Sequence, residues 1–259
     1  NDNIAIGYQA MTTNTAGGEK NVAVGNYALD ALTSGDINTA VGYGALSQNT
    51  TGTKNTGVGY NALESVTTGD FNTAIGQSSG SETTTADGNT SVGQESLRTN
   101  VTGANNTAVG AEALYASTGN ANVGVGYQAG KANTSGQIIA IGYQAMVANT
   151  TGTRNIAIGS NAYDSSDTES DNIAIGHNAM TTNTAGGSNN VALGNYALDA
   201  LTSADNCVAI GHRSQTSTTT GIQNVGVGTQ TLQDNTTGQE NVAIGHNALQ
   251  LNTTGNSNV

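Results

Sequence analysis

Residues 38–60 read NTAVGYGALSQNTTGTKNTGVGY, and one five-residue figure opens and nearly closes the stretch: Asn38-Thr39-Ala40-Val41-Gly42, then Asn55-Thr56-Gly57-Val58-Gly59. The figure is Asn, any residue, a small residue, a β-branched residue, Gly. It also begins at Asn3, Asn21, Asn72, Asn89, Asn106, Asn122, Asn155, Asn172, Asn190, Asn224 and Asn241, with Ile138 and Cys207 standing where Asn would, and a further start at Asn258. The spacing is 17 residues with single-residue slips to 16 or 18. A beat this regular is the signature of a stacked repeat, and it is too short for pairs of helices.

With positions counted from that Asn, position 2 is β-branched in all fifteen copies and position 4 is Ile or Val in all but one, Leu193. Position 3 is Ala, Gly or Ser, and position 5 is always Gly. Successive side chains of a strand point to opposite faces, so the pentad reads as a short strand with bulky residues on one face and tiny ones on the other. Position 8 is Ala or Ser except at Thr231, and position 9 is Leu or Met in eleven copies, as in Met11, Leu29, Leu114 and Leu249. These predict a second short strand returning to close a core. Thr-rich turns such as Asn49-Thr50-Thr51-Gly52 follow, and their Gly at or beside position 15 is expected to supply the positive φ of a tight corner.

One such coil cannot bury its own apolar face. Stacked about 4.8 Å apart, the coils pair every backbone group and form ladders of like residues, and fifteen make a rod of roughly 70 Å. The expectation is all-β: one parallel β-solenoid, or β-roll, of about fifteen 17-residue rungs over 1–259, with the Ile/Val column sealed inside and an Asn column able to bond from rung to rung. Residues 3–34 recur at 172–203, an offset of 169 or ten rungs, which reads as block duplication in a longer fibre. Cys207, the one cysteine, is expected to be a small apolar filler in the Asn column.

Thirty-six Gly, no Pro, no Trp, one Phe and 9% charged residues are far from ordinary globular usage. The net charge of −12 repels phosphate backbones and anionic headgroups, so neither nucleic acid nor a membrane surface is an expected partner. No apolar stretch approaches the roughly 18 residues of a membrane span.

Chemistry-bearing patterns dissolve into the repeat. Gly76-Gln77-Ser78-Ser79-Gly80 matches a nucleophile elbow, but Gly76 is a position-5 Gly and no helix follows. Gly57-Val58-Gly59 and Gly124-Val125-Gly126 are pentads with Gly at position 3 and open no helix, so they are not dinucleotide fingerprints. Asp36, Asp70, Asp171 and Glu240 gather at the corner before the next Asn, one per rung, where glycosidase chemistry needs two carboxylates about 5–10 Å apart. The nonapeptide that binds calcium in other β-solenoids is absent. Sequons at Asn49, Asn100, Asn149, Asn235 and Asn252 come with the repeat. Position 6 carries Tyr8, Tyr43, Tyr60, Tyr127, Tyr143, His177, His212 and His246. The histidines fall in alternate rungs, about 10 Å apart, too far to share one zinc ion. The column is expected to face outward, either as a plain polar edge or as a stripe that contacts a ligand or glycan.

The pentads Asn3–Gly7, Asn155–Gly159 and Asn241–Gly245 resemble the head repeats of trimeric autotransporter adhesins, the YadA-like β-roll, and related repeats of phage tail fibres and bacterial surface proteins. The resemblance covers the whole chain. It implies a left-handed roll, a homotrimer, and attachment at a cell or virion surface. The expected function is a structural or adhesive extracellular fibre segment without catalysis or cofactors, working as a homotrimer or end-to-end filament that meets a host-surface protein or glycan. A phage-fibre shaft, a filament subunit and an ice- or surface-binding solenoid are the alternatives. An ice binder would need a regular Thr ladder, and position 2 is Thr only in the third to seventh rungs.

Overall fold

A computed structural model describes residues 2–183 and 186–259. Its strands are fifteen three-residue segments, one per rung, all parallel. They fall into two compact units, Asn1–Gln128 and Ala129–Val259. The first unit holds β1–β8: Ile4–Ile6, Val22–Val24, Thr39–Val41, Thr56–Val58, Thr73–Ile75, Thr90–Val92, Thr107–Val109 and Val123–Val125. The second holds β9–β15: Ile139–Ile141, Ile156–Ile158, Ile173–Ile175, Val191–Leu193, Val208–Ile210, Val225–Val227 and Val242–Ile244. Within each unit, consecutive strands pair in strict register, so Ile156, Ala157 and Ile158 of β10 lie against Ile173, Ala174 and Ile175 of β11. The chain is a parallel β-solenoid built on the 17-residue beat.

The facing of the strands is the reverse of the expectation. In every strand from β2 to β15 the central residue is buried, and its β-branched neighbours are half-buried or exposed. The coil encloses the small residue and turns the Ile/Val/Thr pair outward. The reason is cross-section: a coil of about 17 residues has room for the position-3 Ala, the position-8 Ala and one larger side chain from position 9. Ala23, Ala28, Leu29, Leu32, Ala40, Ala45 and Leu46 form such a core, each fully buried.

Among the described residues the expected second strand is also absent. Positions 6 to 11 form a chain of turns in which positions 7 and 9 are left-handed although, Gly44, Gly80 and Gly130 apart, they are not Gly, for example Asn61 (φ 53°), Leu63 (φ 51°), Gln144 (φ 51°) and Met146 (φ 56°). L-residues resist this region because Cβ crowds the following carbonyl. Rung-to-rung hydrogen bonds hold them there. The Leu29 amide donates to the Ala45 carbonyl (3.1 Å) in the next rung, whereas the Tyr27 amide donates back to Tyr8 (2.9 Å). The backbone of the turns is thus paired nearly as fully as a strand.

Glycine acts at the two corners in different ways. At position 5, φ lies between 120° and 142° in all fifteen rungs, and a Cβ on Gly59 would stand 2.5 Å from the Gly76 carbonyl oxygen. At position 15 the positive φ expected of Gly52 is not found. That glycine is required for close approach: a Cβ would meet the Gly69 oxygen at 2.5 Å and the Asn49 and Asn55 side chains at 2.6 and 3.0 Å. In the 17-residue rungs the positive φ of this corner belongs to position 17, as in Lys54 (57°) and Phe71 (59°), whereas in the two longer rungs starting at Asn3 and Asn172 position 15 has it as expected, at Gly17 (95°) and Gly186 (106°).

The Asn column explains why position 1 is so uniform. Asn38 Nδ2 donates to the Gly52 carbonyl (2.8 Å), closing its own coil, and its Oδ1 accepts the Asn55 amide (2.9 Å), fixing the next. Asn55 and Asn72 repeat the pattern, and all three are fully buried. A second buried column at position 12 caps the Thr-rich turn, with Asn100 donating to the Gly103 carbonyl and accepting the Gly103 amide, both at 2.8 Å.

Candidate interaction surfaces

Every strand sends positions 2 and 4 to the outside, making a continuous ladder in each unit. Those positions hold Ile, Val or Leu except for five Thr in β3–β7, and none carries a charge. Ile75 and Leu193 are 43% and 42% exposed inside their stacks. A three-residue strand is about 10 Å long and rungs are about 4.8 Å apart, so eight strands present roughly 400 Å². That is the size of the largest apolar patches monomers leave bare, and such patches mark contact sites. Soluble sheets ordinarily scatter Lys or Glu over an open face; this one has none, so the ladder is a sheet face suited to contact.

Position 6 borders this face. All eight residues singled out from the sequence are exposed: Tyr8, Tyr43, Tyr60 and Tyr127 in the first unit, and Tyr143, His177, His212 and His246 in the second. Tyr43 and Tyr60 stack at 5.5 Å between ring centroids, with their planes nearly parallel. The sequence reading missed Tyr27 and Tyr196, which complete the ladders from position 7. Tyr27 lies edge-on to Tyr8 and Tyr43 (5.6 and 5.4 Å), and Tyr196 edge-on to His177 and His212 (5.3 and 6.2 Å). In these two rungs the order is Gly-Asn-Tyr instead of Gly-Tyr-x. Asn26 and Asn195 use Oδ1 to accept the Tyr8 and His177 amides, and the ring moves one position on while keeping its place in the ladder. That transposition was the available signal.

The corner carboxylates link rungs. Asp36 accepts the Glu19 amide (2.7 Å) and Asp70 the Thr53 amide (2.6 Å). Asp171 takes a two-pronged bond from Arg154 (2.6 and 2.7 Å), which holds its carboxyl below the usual range, and Glu240 accepts the Ser257 hydroxyl. One rung on from Asp70, Asp87 accepts the Asp70 amide (2.7 Å). Ser78, the central serine of the elbow-like stretch, is half-buried with a left-handed backbone (φ 52°), and its neighbour Ser79 is fully buried and bonded to Ser91 and Ser96. Among the described residues, no three His, Cys, Asp or Glu side chains group as metal ligands, and no helix is long and apolar enough to cross a membrane.

Several buried polar groups escaped the sequence reading because they replace repeat residues one at a time. Tyr163 takes the Leu place at position 9, fully buried, with its hydroxyl accepting from Asn172 (2.7 Å) and Asn183 (3.2 Å); burial pushes its pKa up. Glu169 stands where position 15 is usually Gly. Its carboxylate is caged by the Ser166 hydroxyl and the amides of Asp167, Thr168 and Gly186. Cys207 is more than a filler: its Sγ lies 3.2 Å from the Gly221 carbonyl, standing in for an Asn Nδ2. Burial pushes the thiol up to about 11.

No protein-family model matches the chain, and no curated protein matches it.

Proposed function

We propose that this chain is a segment of an extracellular structural or adhesive fibre, a passive rod without catalysis, that assembles as a homotrimer through its outward Ile/Val ladders and offers its remaining surfaces to a host-surface protein or glycan. The observation that carries the reading is the uncharged ladder of positions 2 and 4. Facing it inward against copies of itself removes from water the aliphatic surface that the narrow coil cannot enclose, at roughly 25 cal/mol per Å². Identical ladders of identical rise meet in register, as closed symmetric assembly requires. The resemblance to trimeric adhesin heads points the same way, and the acidic surface suits a rod that must not stick to nucleic acid or anionic lipid.

Mass photometry of the purified chain tests this. A trimer is expected, and the paired substitutions Ile158→Asp and Ile175→Asp are expected to shift it to single chains with an unchanged far-ultraviolet circular dichroism spectrum. A parent chain that stays monomeric at micromolar concentration overturns trimeric assembly and leaves the solenoid standing. One observation favours a second reading, recognition of ice or a mineral lattice: Thr39, Thr56, Thr73, Thr90 and Thr107 all lie on the outward face of consecutive strands. Thermal hysteresis in a freezing assay, abolished by Thr73→Val and Thr90→Val together, would favour it; none retires it.

A further inference from the structure

The tyrosine ladder of the first unit borders a groove of about 390 Å³. Tyr27 and Tyr43 lie on its lining, with the carboxylates Asp30 and Glu64, the Gln48 amide and the bare backbone of Gly44; no Lys or Arg lines it. Two tyrosine rings and two carboxylates, with no cation to neutralise them, form a site of one electrostatic sign. Ring faces and carboxylates both attract a delocalised cation.

The chain itself supplies the matching occupant. The duplication offset of 169 relates Tyr27 to Tyr196, Asp30 to Asp199, Tyr43 to His212 and Gly44 to Arg213. In the second unit the Arg213 guanidinium lies 5.8 Å from the centre of the Tyr196 ring, which has a ring neighbour on each side just as Tyr27 has. Gly44 and Arg213 share the same left-handed backbone, φ 66° and 54°. The related place in the second unit thus carries its own arginine, whereas Gly44 leaves the first unit's groove open. From this we infer that the Tyr27–Tyr43 groove is a binding site for an arginine side chain on a partner polypeptide. A glycan would use the rings, but the paired carboxylates and the Arg213 counterpart favour the guanidinium. The site lies within one unit.

A short peptide carrying one central arginine, its citrulline counterpart as neutral isostere, and a neutral chito-oligosaccharide are titrated into the purified chain. Tyrosine emission, unmasked because the chain has no Trp, and the NMR signals of the Tyr27 and Tyr43 rings are followed. The arginine peptide is expected to shift both rings and to bind about tenfold more tightly than the citrulline peptide, and Asp30→Asn to weaken it about threefold to tenfold. Gly44→Arg is expected to abolish binding by filling the groove. Arg213→Gly is expected to open a second, weaker site reported by Tyr196, weaker because Gln233 replaces the Glu64 carboxylate there. Thr254→Ala, exposed in the second unit and outside the position-6 column, should change nothing. Equal binding of arginine and citrulline peptides, retention of binding by Gly44→Arg, or ring shifts with the oligosaccharide alone would each overturn the assignment.

Discussion

Replacing Asn72 by Ala isolates what the Asn column contributes. Asn72 is fully buried; its Nδ2 donates to the Ala86 carbonyl (2.7 Å) and its Oδ1 accepts the Asn89 amide (3.0 Å). Truncation strands one buried carbonyl and one buried amide, each costing about 1–3 kcal/mol, so the loss is roughly 2–6 kcal/mol. In a stacked array this loss is local before it is global, because each rung leans only on its neighbours. Native-state hydrogen exchange is therefore the suitable assay, with the Asn89 amide as reporter. Asn72→Ala should speed its exchange by a factor of about 30 or more. Thr73→Ala, next in sequence but on the outward face, should stay within about 0.5 kcal/mol of the parent. Asn72→Cys should fall between them, since Cys207 shows that a thiol can reach the same carbonyl. An unchanged Asn89 rate in Asn72→Ala would refute the idea that this column clamps the coils.

Other consequences follow from individual residues. The Cys207 thiol, held protonated up to about pH 11 by burial, should resist a thiol-specific reagent at pH 8 in the folded chain and react fully once denatured. Asp164 has a pKa raised mainly by burial, with Asp199 adding repulsion. Its ionisation therefore costs stability as pH rises through the folded pKa, and Asp164→Asn should raise the melting temperature at pH 7 with the gain vanishing below the ordinary carboxylate range, as a pair of melting curves would show. Asn149 and Asn235 are fully buried, so a chain secreted by a glycosylating host and folded before modification should carry no glycan there by mass spectrometry.

The period, the strand positions and the invariant position-5 glycine were legible in the sequence because each repeats fifteen times, and repetition averages away local noise. The facing of the strand was not. Alternation states that positions 2 and 4 share a face and position 3 the other, and burial of the bulkier side is the usual outcome. It fails here because a narrow coil fills with Ala and Leu and leaves its β-branched residues for other company. The missing second strand has a similar origin. Left-handed Leu63 and Gln144 belong to residue types that give no sign of it, and only the bonds to neighbouring rungs hold them. The exposed position-6 column was readable as a column, but its closure by Tyr27 and Tyr196 depended on a transposed Asn-Tyr pair that periodicity alone skips.

Everything rests on small residues facing in and β-branched residues facing out, and Ala157→Leu puts that to the proof. Ala157 is fully buried between Ala140 and Ala174 in the ladder. Overpacking a closed interior costs about 1–3 kcal/mol or more, so equilibrium denaturation should show the variant less stable by at least that amount. A variant as stable as the parent would mean that position 3 looks into solvent, and the inward-outward assignment would be wrong.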